Sequence, residues 1–304
     1  MSSPIRSPRD RGFILLIVLW MAALFALTAA AFVKAVQAHL RSTTVQIQTS
    51  RAELLADSGL AVAALDLIEA RAPNHRRKFP VDGAPVTCTL EEGQLTISVQ
   101  DAGGRVNLNT ASDRLLQALF VGLGASRQAA ATYSKAIVYF RAPAGEPSRT
   151  ASDKPDYQAA GQRLGPKHAP LDALEELQQI VGLDAGIIAA MRPHVTVHSG
   201  TTGLDPKVTR DTLVELLARG YESLGAQTSI AATGSRLPAE FVVASTERTY
   251  MVQVQGALAA GATYVREAVI ELPANRNSLP TYKVWKRNIE ALTAAAEVTT
   301  IGPC

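Results

Sequence analysis

Two histidines and two cysteines are the residues of this 304-residue chain best suited to hold a metal or do redox chemistry. His194 and His198 lie four apart in a run of alternating Val and Thr, which predicts a strand with both imidazoles on one face. A metal site needs a third protein ligand, and none is evident nearby, so the pair reads as surface histidines. Cys88 and Cys304 are too few and too far apart for a zinc cluster or a C-x-x-C redox pair. They are either one disulfide, if the body sits in an oxidising compartment, or two free thiols. Gly122-Leu123-Gly124 fails as a dinucleotide fingerprint, because Arg127 stands where the third glycine belongs. Neither a G-x-S-x-G elbow nor a P-loop occurs. The sequence therefore predicts no catalytic residues, no cofactor and no enzyme activity.

The elements that would position any site start from a chain with 47% hydrophobic residues, enough for an ordinary core in two domains or in one domain with a large insertion. The formal charge of +3 is concentrated: Arg6, Arg9, Arg11 and Asp10 contribute +2, leaving +1 for the rest. A near-neutral body lacks the clustered cations that draw nucleic acid through counterion release.

From Phe13 through Val33 runs FILLIVLWMAALFALTAAAFV, an uncharged stretch long enough to span a hydrocarbon core of about 30 Å as a helix. The preceding arginines place the short N-terminal flank in the cytoplasm and the body across the membrane, although Lys34 and Arg41 weaken that bias. Two kinds of processing fit. Thr28-Ala29-Ala30-Ala31 is a small-residue site for ordinary signal peptidase, but the apolar run continues beyond it through Phe32 and Val33. Arg11-Gly12 followed by Phe13 instead fits prepilin peptidase, which cuts after the glycine and leaves the helix attached; this is the favoured reading. From Lys34 to about Ala70 no proline occurs, and Gly59 is the one glycine, so the helix is expected to continue to a stop at Pro73-Asn74. Leu40, Ile47, Leu54, Leu55, Val62, Leu65 and Ile68 fall near helical spacing and predict one apolar stripe for packing.

Beyond the helix, Val86–Leu90 and Gln94–Gln100 flank Glu91-Glu92-Gly93 as a hairpin would. Helical spacing then takes over, with one pair marked by Leu115, Leu116, Leu119, Ile137 and Val138. A second pair carries Leu174, Leu177, Ile180, Ile187 and Ile188, and a long Pro/Gly/Ser-rich loop from Ala142 to Pro170 separates the two. A third helix is expected over Thr209 to Arg219, ending before Gly220. Strands return at Phe241–Ala244, Thr249–Gly256, Thr263–Leu272 and Tyr282–Lys286. An α+β head interrupted by an all-helical insertion is the simplest architecture.

With these features the chain resembles the type IV pilin-like proteins, and more narrowly the general secretion pathway protein K family of minor pseudopilins in type II secretion. The residues that carry the resemblance are Gly104-Arg105-Val106-Asn107-Leu108-Asn109-Thr110-Ala111, then Pro170 to Leu177, and Val181-Gly182-Leu183 on to Arg192 through Gly200. The closing stretches Tyr264–Ile270 and Tyr282–Arg287 complete it. Most pilins and pseudopilins carry glutamate at the fifth position after the cleavage point; here that position is Ile17, as in the K family, and this marks a subunit at the filament tip. The resemblance implies a long N-terminal helix packed on a small antiparallel-sheet head, with a helix-hairpin-helix-like insertion. It divides the chain into a leader (1–12), a transmembrane part of the helix (13–33), its periplasmic part (34–72), the first part of the head (73–107), the inserted helical domain (108–235) and the second part of the head (236–304). Implied too are cleavage between Gly12 and Phe13 with N-methylation of Phe13, and a single pass of the bacterial inner membrane with the body in the periplasm. The implied partners are other minor pseudopilins, prepilin peptidase and the outer-membrane secretin or cargo.

The chain departs from the family in a loop where acidic residues resemble a calcium source. Only Glu146, Asp153 and Asp156 remain there, too few for the six to eight oxygens calcium needs. A second reading is a membrane-tethered DNA receptor, since the segments after Asn107 and after Leu171 resemble helix-hairpin-helix units. Only Arg127 accompanies the first hairpin, and Asp184, Glu175 and Glu176 accompany the second, an arrangement that would repel phosphate.

Overall fold

A computed structural model describes residues 9–72, 75–143, 157–159, 161, 165–225, 236–275, 278–288 and 299–304, with the backbone alone over 9–12 and at 288. Helix α1 (Arg9–Glu69) is 61 residues long and begins four residues before the expected Phe13. Along its first half the described side chains, from Phe13 on, are exposed. From Ala52 onward it lies across a six-stranded sheet formed by β1 (Asp82–Leu90), β2 (Gly93–Asp101), β5 (Thr249–Leu258), β6 (Thr263–Glu271), β7 (Thr281–Asn288) and β8 (Thr299–Pro303). The strand order is β7-β6-β5-β2-β1-β8. All neighbours are antiparallel except β8, which runs parallel to β1 at the edge. The β1–β2 hairpin turns at Glu91-Glu92, pairing Leu90 with Gly93.

Alternation along the strands gives the sheet two unlike faces. Val86, Cys88, Leu95, Ile97, Val252, Val254, Ala268 and Ile270 point to α1 and are buried with it. Thr87, Thr96, Ser98, Gln253 and Glu267 occupy the other face and bond to one another or to the backbone, as in Thr87–Thr96 at 3.0 Å and Gln253–Glu267 at 3.0 Å.

The chain leaves the sheet at the end of β2 and returns at the start of β5, and those ends are partners in the ladder: Asp101 sits opposite Tyr250. The described segments between them form a second core, with members from Val106 to Phe241. It holds β3 (Val106–Asn107), α2 (Asp113–Gly122), α3 (Arg127–Arg141), a 3₁₀ turn (Leu174–Gln179), α4 (Ala185–Met191), a 3₁₀ turn (Arg192–His194), β4 (Val195–Thr196) and α5 (Asp211–Ser223). An insertion whose ends are hydrogen-bonded neighbours leaves the host sheet's register intact.

Several local expectations are corrected. The third helix does not stop before Gly220 but runs through it, because α5 packs so closely on α2 that a Cβ there would overlap the Ala118 carbonyl oxygen. Phe241–Ala244 is not a strand: a 3₁₀ turn (Ala239–Phe241) buries Phe241, and a single bridge joins Val242 to Leu204. The segment around His194 and His198 is a strand for two residues only. His194 ends the 3₁₀ turn before it and His198 follows it, both half-buried, so no shared strand face exists. Finally, of the predicted apolar stripe on α1 only Leu55 and Val62 pack on the sheet core, and Leu40, Ile47, Leu54 and Leu65 stay exposed.

Candidate functional site

The functional element is α1, and its sequence divides it by what each face can touch. Phe13 to Val33 points outward on every side, and the helix carrying it is long and apolar enough to cross a membrane once. Ile17 lies here, 44% exposed, among Phe13, Leu16, Trp20 and Met21 with no polar side chain beside it. The backbone is helical through Gly12, so the Gly12–Phe13 bond lies inside a continuous helix.

The sheet-facing side of α1 is built from small residues: Ala52, Ala56, Gly59, Ala63 and Ala64, with Leu55, Leu60 and Leu67 between them. This lets helix and sheet approach closely. A Cβ on Gly59 would come within 2.7 Å of Val254 Cγ1 and 2.9 Å of Leu95 Cδ2, and one on Gly256 within 2.8 Å of the Ala52 carbonyl oxygen. Other large residues lie away from the sheet. Leu40, Ile47, Leu54 and Leu65 stay exposed, Leu54 at 69% and Leu65 at 54%, and Ile68 beside them is partly so. The predicted stripe is real as a pattern, but Leu55 alone of its members is fully buried against the head.

Arg266 on β6 pins the helix. It is buried, and donates from Nε to Asp57 at 2.6 Å and from Nη2 to Glu53 at 2.6 Å. Its guanidinium also lies over the rings of Tyr264 and Trp285, at 4.9 and 5.4 Å. The bond from Arg266, and then that from Tyr264, hold the Glu53 carboxyl below its ordinary range.

At the root of the insertion the asparagines of the Asn107-Leu108-Asn109 motif act as staples. Asn109 takes the Leu171 amide on its Oδ1 and gives its Nδ2 protons to the carbonyls of Leu171 and Val197. Asn107 accepts the Asn109 amide. One motif thereby joins three segments up to 88 residues apart in sequence. Asp101 ties both crossings: its Oδ1 accepts from the Gly103 amide at 2.7 Å and the Ser245 hydroxyl at 2.6 Å, while Oδ2 has no partner. Burial raises its carboxyl above the ordinary range, against the pull of Ser245.

The two hairpins are alike. Gly124 and Gly182 both adopt φ near +97°, the left-handed turn glycine favours. Each following helix is capped from within: Ser126 accepts the Ala129 amide and Asp184 the Ile187 amide. The Ile187 amide, with the Tyr133 hydroxyl, keeps the Asp184 carboxyl below its ordinary value. At the second hairpin a carboxylate thus holds the place a phosphate would take.

Cys88 and Cys304 are bonded, closing β8 onto β1. Among the described residues no three His, Cys, Asp or Glu converge as metal ligands. Glu146, Asp153 and Asp156 lie outside the described residues. The spacing signal missed most was that of α1, where the telling residues were alanines.

A long apolar helix seated by small residues on one face of a mostly antiparallel sheet, with a helical domain inserted between two paired strands, defines a pilin-like fold with an enlarged head. Residues 96–200, from β2 to just past β4, match the family model described as "Type II secretion system (T2SS), protein K". The fold resembles a chain in the crystal structure of the GspK-GspI-GspJ complex from the enterotoxigenic Escherichia coli type 2 secretion system. The match has a TM-score of 0.55 and 14% identity, covering 84% of this chain and 99% of that one. No curated protein matches the chain by sequence.

Proposed function

We propose that the chain is a minor pseudopilin of a type II secretion system, a structural and non-catalytic subunit that supports export of folded proteins across the outer membrane. The observation that carries this reading is the protein K match over residues 96–200, set in a chain whose α1 has the membrane half and sheet-seated half of a pilin. On this reading the inserted domain and head lie in the periplasm, where a disulfide such as Cys88–Cys304 persists. Prepilin peptidase cuts between Gly12 and Phe13, and Phe13 becomes the N-methylated terminus. Partners are other minor pseudopilins, as in the complex of the similar structure. Ile17 supports a place at the tip. A subunit buried in the filament would need a charge at that position to meet its neighbour's amine, and an apolar residue offers none. The secretin or cargo would then face the head. A calcium ion in the loop would draw only part of its oxygen shell from Glu146, Asp153 and Asp156.

The experiment is mass spectrometry of the mature protein from its native membrane. A terminal peptide starting at N-methylated Phe13 is expected; one starting near Phe32 would mark a secreted protein and sink the proposal.

A further inference from the structure

A cluster of cationic side chains gathers at the root of the insertion. β3 and β4 run parallel with Val106 opposite Val195, so the residues one step earlier, Arg105 and His194, are neighbours across the pair. Beside Arg105 the backbone packs tightly, since a Cβ on Gly104 would overlap the Val208 carbonyl oxygen and come within 2.6 Å of Gln100 Nε2. Gln100 also reaches the far side. A Cβ on Gly83 would meet Gln100 Oε1 at 2.7 Å and Arg210 Nε at 2.8 Å. Arg210 itself donates from Nε to the Asp82 carbonyl at 3.1 Å and from Nη2 to the Gly83 carbonyl. Arg105, His194 and Arg210 therefore share one corner between the end of β2, the start of β1 and the β3–β4 pair.

Among the described residues none of the three has an ion-pair partner, whereas Arg266, Lys167 and Lys286 each have two. Glu267, whose field reaches Arg105, is engaged with Gln253 and Lys286. Burial, and then the Arg210 charge, bring the Arg105 guanidinium down to about 10, and burial with both arginines lowers His194. A half-buried cation in like-charged company is favoured when an anion joins it. A guanidinium fork with no carboxylate of its own matches the two oxygens of a carboxylate or phosphate.

We propose that Arg105, flanked by His194 and Arg210, is a receptor for an oxyanion, either an acidic side chain of a partner protein or a small inorganic anion. Only the first source rests on the pseudopilin reading. The test uses the full chain in detergent micelles, comparing thermal midpoints in phosphate and in chloride at equal ionic strength. Wild type should show a saturable rise in phosphate; at one hundred times the dissociation constant the folded-to-unfolded ratio grows about 100-fold. Arg105→Gln should lose that rise, yet unfold in chloride no earlier than wild type, since it removes an unpaired cation. Should that variant fail to fold, Arg210→Gln on the rim should lessen the rise. Co-purification with the other minor pseudopilins separates the sources. If phosphate displaces the partner and Arg105→Gln weakens its capture, the anion is a partner's side chain; if capture is untouched while the midpoint still rises, it is a free ion. No rise in phosphate together with capture indifferent to phosphate and to Arg105 overturns the proposal, as does a rise that Arg105→Gln retains.

Discussion

Asp101 shows how one side chain can hold a domain in place at a cost to stability. It bonds the two crossings between head and insertion, but one oxygen is buried without a partner, and burial raises its carboxyl above the ordinary range. A folded state that prefers the protonated carboxyl binds more protons than the unfolded chain. The group's contribution therefore declines as pH climbs from the unfolded value through the higher folded one, and is at its worst above both. Asp101→Asn keeps an acceptor for Gly103 and Ser245 while removing the charge. Relative to wild type, the variant should gain stability as pH rises through that acidic window and hold the gain at neutral pH. Denaturant midpoints across pH 3 to 8 check this; a difference that stays flat with pH would mean that the Asp101 charge carries no cost.

Among the elements, the packing of α2 on α5 makes the sharpest case. Gly220 sits inside α5, where alanine would ordinarily stabilise a helix by about 1 kcal/mol. Here a Cβ would overlap the Ala118 carbonyl of α2, and one on Gly122 the Leu216 carbonyl of α5, so the helices touch backbone to backbone in both directions. Gly220→Ala should thus reverse the usual sign and cost about 1–3 kcal/mol, as overpacking does. Equilibrium unfolding monitored by circular dichroism measures it, and a stabilised variant would contradict the close packing. The same contact explains why a glycine signal was misread as a helix stop: in sequence, a glycine that ends a helix and one that admits a neighbour look alike. Helix α1 and the β1–β2 hairpin were legible because length, alternation and a two-residue turn are local properties. β3 and β8 were not, and β4 was foreseen only as part of a longer alternating run between His194 and His198, of which two residues are strand. A two-residue strand such as β3 carries no period, and β8, with its sequence Thr-Thr-Ile-Gly-Pro, is a strand only because β1 and the disulfide supply its partner. On α1 the large apolar residues drew attention to the wrong face, since seating a helix close to a sheet calls for alanine and glycine.

For the whole molecule, the disulfide decides how the chain's two ends of the head stay together. It joins residues 216 apart in sequence and anchors an edge strand whose residues are mostly exposed. In the chain-entropy account, closing so long a loop restricts the unfolded state by about 5 kcal/mol, and measured gains usually run lower. β8 itself contributes little burial, with Ile301 the residue of that strand packed on the core. Reduction should accordingly act in two ways. Amides of β8 should lose hydrogen-exchange protection first, while those of β2, β5 and β6, locked under α1, keep theirs. The global denaturant midpoint should fall at the same time, by roughly 2–4 kcal/mol in free energy. Exchange mass spectrometry on oxidised and reduced protein distinguishes these effects from wholesale loosening. If protection in β5 and β6 collapsed together with β8, the cross-link would be bracing the sheet itself. If β8 alone opened and the midpoint stayed fixed, the bond would serve only to hold the edge strand, and the head would owe its stability to the seat of α1 and the Arg266 clamp.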